Sequence, residues 1–77
     1  MMQEYTIIIH PAEEGGFWVE VPTLPGCFSQ GESIEEAMRN VKEAIDLHIE
    51  CLKEENEPVP IENDLIISRV QVNPVQA

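Results

Sequence analysis

The 77 residues carry 15 acidic side chains against 4 basic ones, a formal net charge of −11. That balance argues against binding to nucleic acid or to an anionic lipid surface and favours a basic partner. No apolar run approaches the ~20 residues of a membrane span, and two cysteines, Cys27 and Cys51, do not make a disulfide framework. The length predicts one domain, residues 1–77. A domain of this size buries a modest core and gains from self-association. The opening MMQEY has no leader-like pattern, so a cytoplasmic location with reduced thiols is expected.

In chain order, Tyr5 to His10 reads YTIIIH, a β-branched run that favours a strand. Alternation puts Tyr5, Ile7 and Ile9 on one face and Thr6, Ile8 and His10 on the other. Pro11 should end the strand, and Glu13-Glu14-Gly15-Gly16 suits a hairpin. Phe17 to Val21 forms the second strand, with Phe17, Val19 and Val21 facing a helix and Trp18 and Glu20 facing away. Pro25-Gly26 predicts a type II turn, and Cys27 to Gln30 a short third strand. Ser33 is the N-cap of a long helix, with Glu36 completing a capping box and Gly31 easing the turn into it. On that helix Ile34, Met38, Val41, Ile45, Ile49 and Leu52 form one apolar stripe, which predicts a core against Ile7, Ile9, Phe17, Val19 and Val21. Pro58 and Pro60 keep the following loop extended, Leu65 to Val72 reads as a last strand, and Asn73 to Ala77 as a frayed tail. The expected fold is α+β in the order β-β-β-α-β, with one long helix on a small, mainly antiparallel sheet.

Catalytic and metal-binding patterns are weak. There is no phosphate-cradling loop and no Cys-x-x-Cys or His-x-x-x-His spacing. Cys27 lacks the electropositive surroundings that activate a thiol. Glu13, Glu14, Glu20 and Asp64 are the residues a metal-dependent nuclease would have to converge, yet the carboxylates fall mainly in turns and on the helix surface, as a solvated charge face does. No cofactor and no metal are expected. Trp18 lies on the sheet face that the helix does not cover, and Leu47 points away from the helix stripe. Together with Cys27 and Phe28 on the third strand, they are the candidates for contact with a partner or a second copy. A homodimer or higher homo-oligomer is expected, with Trp18 or the edge of the Cys27–Gln30 strand near the contact.

Several strings taken together carry a family resemblance. They are Glu14-Gly15-Gly16-Phe17-Trp18, Val21-Pro22-Thr23-Leu24-Pro25-Gly26-Cys27, Gln30-Gly31, Ser33-Ile34-Glu35-Glu36-Ala37, Asn40 and Lys42-Glu43-Ala44-Ile45. The combination resembles the HicB antitoxin family from about Tyr5 to about Pro58. The resemblance implies a partial RNase H-like fold without a nuclease site. It also implies a function: binding and blocking a small basic HicA-type toxin that cleaves mRNA. Many members of the family carry a C-terminal DNA-binding domain; with only 4 basic residues in this chain, none is expected here. The competing reading is a small hydrolytic or metal-dependent enzyme that keeps RNase H-type chemistry.

Overall fold

The computed structural model describes residues 3–74. Strands β1 (Ile8–Pro11), β2 (Phe17–Glu20) and β3 (Phe28–Gly31) precede the helix α1 (Ile34–Glu54). The strands form one antiparallel sheet in the order β1-β2-β3, with Ile9 opposite Val19 and Val19 opposite Ser29. Local chemistry accounts for the connections. Cys27 donates its N–H to the Leu24 carbonyl at 3.0 Å, and Gly26 takes φ +85°. That is the type II turn which Pro25 and Gly26 favour.

The helix begins as its capping residues require. Ser33 Oγ accepts from the Glu36 amide at 3.1 Å, and the Glu36 carboxylate accepts from the Glu32 amide, also at 3.1 Å. Its far end closes with a left-handed residue, Asn56 at φ +57°. There the Glu57 N–H reaches the Leu52 carbonyl and the Asn56 N–H reaches that of Lys53, the six-to-one and five-to-two bonds of a Schellman ending.

The core is Val19, Val21, Leu24, Cys27, Ala37 and Val41. Tyr5, Ile7, Ile9, Phe17, Ala44 and Ile45 pack around it, half-buried. The helix therefore covers the Val19 and Val21 face, as alternation predicts, but it is rolled relative to the expected stripe. Ile34 and Met38 stay 46% and 50% exposed, while Ala37 is sealed. The cause is the approach of α1 to β3. A Cβ at Gly31 would lie 2.5 Å from the Ala37 nitrogen and 2.9 Å from its Cα. Backbone meets backbone there, which only the smallest side chains permit. Gly31 has no positive φ; its smallness serves this contact rather than a sharp turn.

Two further boundaries differ from expectation. The first strand starts at Ile8 rather than Tyr5 and includes Pro11. Pro11 pairs opposite Phe17, a position at which its missing N–H is not needed for the ladder. The segment Leu65–Val72 forms no strand within the chain. Residues 61–65 run beside Gln3 and Glu4, past the start of β1 rather than along Ile8–Pro11. A segment that does not run alongside a strand edge makes no ladder. The expectation for the tail reaches into residues 75–77, which lie outside the described residues.

Candidate functional site: the open sheet face

Because α1 covers one face, the residues of opposite parity in the three strands share the other. Ile8 and His10 of β1, Trp18 and Glu20 of β2, and Phe28 and Gln30 of β3 face away from the helix. The register brings their side chains together. His10 is directly opposite Trp18, and their rings stack at 4.1 Å between centroids with 14° between planes. Phe28 is the diagonal neighbour of Trp18, at 6.3 Å and tilted by 48°. His10 Nε2 also lies 2.6 Å from Glu20 Oε2 across the other diagonal. Cross-strand neighbours at such spacing are the unit of sheet stabilisation. Here they also hold an aromatic surface flat and oriented.

Trp18 is 38% exposed and Phe28 is exposed. A shallow depression continues from Trp18 over Gln30, Gly31, Glu32, Glu36 and Asn40. A neighbouring one runs over the hairpin residues Glu13, Glu14 and Gly15. The face thus combines a desolvation-ready aromatic centre with carboxylates at its rim. That composition suits contact with a basic protein surface, whose cations meet both carboxylates and ring faces.

The structure places the four candidate residues in three different settings. Trp18 and Phe28 meet on the open face. Leu47 is exposed on the far side of α1, separate from them. Cys27 is buried in the core, because residue 27 has the parity of Ser29 and Gly31 and points toward the helix. Burial pushes its thiol up from the ordinary value, so it behaves as a small neutral core residue. His10 lies on the open face, whereas His48 belongs to the helix on the opposite one. Among the described residues, no group of three or more His, Cys, Asp or Glu side chains is placed to hold a metal ion.

Sequence reading passed over His10 and Glu20 as members of the surface. Alternation already put His10 with Ile8 and Glu20 with Trp18. What was missing was the hairpin register, which decides that these two sets share one patch.

The fold and this face define a small α+β domain with one sheet surface left uncovered. The model of the HicB-like antitoxin of bacterial toxin-antitoxin systems matches residues 5–74, and the chain belongs to that family. Among similar curated proteins, a UPF0150 protein of Thermoplasma acidophilum is 52% identical over 60 residues, covering 78% of this chain and 87% of that one. A UPF0150 protein of Synechocystis sp. is 44% identical over 68 residues, with 88% and 85% covered. The crystal structure of the Burkholderia pseudomallei antitoxin HicB superposes with a TM-score of 0.72 at 38% identity over 83% of this chain. The present chain spans about half, 48%, of that protein's length. The structure of that antitoxin's N-terminal domain gives a TM-score of 0.67 at 37% identity, with 77% of this chain and 69% of that domain covered. No helix among the described residues is long and apolar enough to cross a membrane.

Proposed function

We propose that this chain is a cytoplasmic, non-enzymatic antitoxin that binds a small basic HicA-type toxin and stops it from cleaving mRNA. The observation that carries the reading is the open sheet face, where His10 stacks on Trp18, Phe28 lies tilted against Trp18, and Glu20 sits beside His10. Family membership supplies the class of partner, and a net charge of −11 supplies the attraction to a cationic one. The same charge repels RNA, so the chain is read as masking the toxin itself and not its substrate. Oriented aromatic side chains with a polar rim are what interface centres are built from.

The test is an RNA-cleavage assay with a purified HicA-type toxin. Stoichiometric addition of this chain should abolish cleavage, and the two proteins should migrate as one complex. Undiminished cleavage at excess chain would overturn the reading. So would divalent-metal-dependent RNA cleavage by this chain alone that is lost in Glu20→Gln, which is the outcome expected of an enzyme.

A further inference from the structure

A three-stranded sheet has two outer edges, and the two are not equivalent here. On β3, Gln30 turns its carbonyl outward, and Asn40 Nδ2 of α1 donates to it at 2.7 Å. That edge is capped by the helix. On β1, the Ala12 N–H bonds the Gly16 carbonyl at the hairpin. Antiparallel alternation from that point directs His10 and Ile8 to β2 and turns the N–H and C=O of Ile9 outward. Among the described residues no other group bonds them. The β1 edge is open, with Ile7 and Ile9 along it.

The segment after Glu62 supplies what such an edge accepts. The chain is fixed up to that point: the Tyr5 hydroxyl donates to the Pro60 carbonyl at 2.8 Å. The Glu62 carboxylate accepts from the Thr6 N–H and hydroxyl, both at 2.6 Å, and from the Thr23 hydroxyl at 3.2 Å. Beyond Asp64 no hydrogen bond ties residues 65–74 to the body among the described residues. Leu65–Val72 takes no helix, turn or strand, and its apolar side chains lie in solvent, Ile66 at 88% and Val70 at 85% exposure. Its start lies beside Gln3 and Glu4, and the segment pairs with no strand of its own sheet. Eight extended residues reach about 26 Å, enough to cross a neighbouring sheet.

Charge selects the occupant. All 15 carboxylates lie between Glu4 and Asp64, while residues 65–77 carry a single charge, Arg69. A cationic partner is drawn to the acidic body and finds no carboxylate to pair with on this segment. A second copy of the chain, itself acidic, can receive it without like-charge repulsion.

We propose that Leu65–Val72 is an exchange arm: it adds as a strand to the open β1 edge of a second copy, at Ile7 and Ile9, and receives that copy's arm in return. The contact is two-fold and self-complementary. It hides the exposed Ile and Val side chains and pairs the free edge in one step. The assembly runs through β1 and the arm, not through Trp18 or the β3 edge, so the open aromatic face stays accessible. The arm exchange does not rest on the toxin reading, because it needs only copies of this chain.

Sedimentation of the full chain at low micromolar concentration should give twice the chain mass. Isotope-filtered NOE spectroscopy on a mixture of labelled and unlabelled full chain should show Val70 methyl contacts to β1 of the other copy. Hydrogen exchange should find the Ile9 amide and alternate amides of 65–72 protected together. The full-chain double variant I66D/V70D should halve the mass and expose the Ile9 amide while its far-ultraviolet helix signal persists. A monomeric full chain overturns the proposal. So do arm contacts confined to the same copy, and so does an arm protected only when a basic toxin is added. The NOE arm of the test uses the unmodified chain, so a variant that failed to fold would not shield the idea.

Discussion

Gly31 and Ala37 meet backbone to backbone, so that a Cβ built on Gly31 would lie 2.5 Å from the Ala37 nitrogen. This contact is the pivot on which the helix lies against the sheet. The nearest neighbours of that Cβ are main-chain atoms of Glu36 and Ala37, which cannot rotate out of the way as a side chain can. Gly31→Ala should therefore push α1 off β3 and cost about 1–3 kcal/mol or more, as overpacking does. Urea denaturation measures it; a change within about 0.5 kcal/mol, the range of surface substitutions, would mean that the two elements are not so close.

The roll of the helix separates two residues of similar size. Leu24 is sealed in the core and Met38 is half-exposed. Leu24→Ala should cost about 2–5 kcal/mol through the cavity it leaves. Met38→Ala should cost well under 1 kcal/mol, since it removes little buried area and alanine favours the helix. Equal losses at the two positions would restore the unrolled stripe, in which Met38 packs and Leu24 merely turns.

Trp18 and Leu47 test which surface meets the toxin. Trp18→Ala should weaken toxin binding by about 2 kcal/mol, roughly thirty-fold, as truncation of an interface centre does. Leu47→Ala, on the far side of α1, should leave it unchanged. Calorimetric titration of each variant with the toxin distinguishes them, and the reverse pattern would move the interface to the helix.

The Glu62 clamp is sensitive to acid. Hydrogen bonds from the Thr6 hydroxyl and then the Thr6 amide hold its carboxyl below the ordinary glutamate value, against an opposing effect of desolvation, with a smaller help from the Thr23 hydroxyl. A carboxylate with a lowered folded value stabilises the clamp above its unfolded value and loses that contribution as pH falls through the folded one. The Thr6 amide resonance should accordingly titrate with a midpoint below the ordinary glutamate range. Glu62→Gln should abolish that titration; a Thr6 amide that titrates identically in the variant would assign it to another group.

Much of the chain is legible in the sequence because the relevant interactions are local. The Ser33 cap, the Pro25-Gly26 turn and the two faces of β2 each depend on residues within a few positions of one another. Period-2 alternation alone separates Trp18 from Val19, and the cap alone starts α1. Tertiary contacts decided the rest. Ala37 and Ala44, not Ile34 and Met38, face the sheet because Gly31 lets the backbones touch, and no helical periodicity contains that information. Leu24 fills the core because the loop between β2 and β3 folds under the helix. His10 joins Trp18 only through the hairpin register. Leu65–Val72 has the composition of a strand, yet a strand also needs an edge to pair with. The clamp of Glu62 on Thr6 and Thr23, made by residues far apart in sequence, fixes where that segment begins, and from there it pairs with no strand of its own sheet.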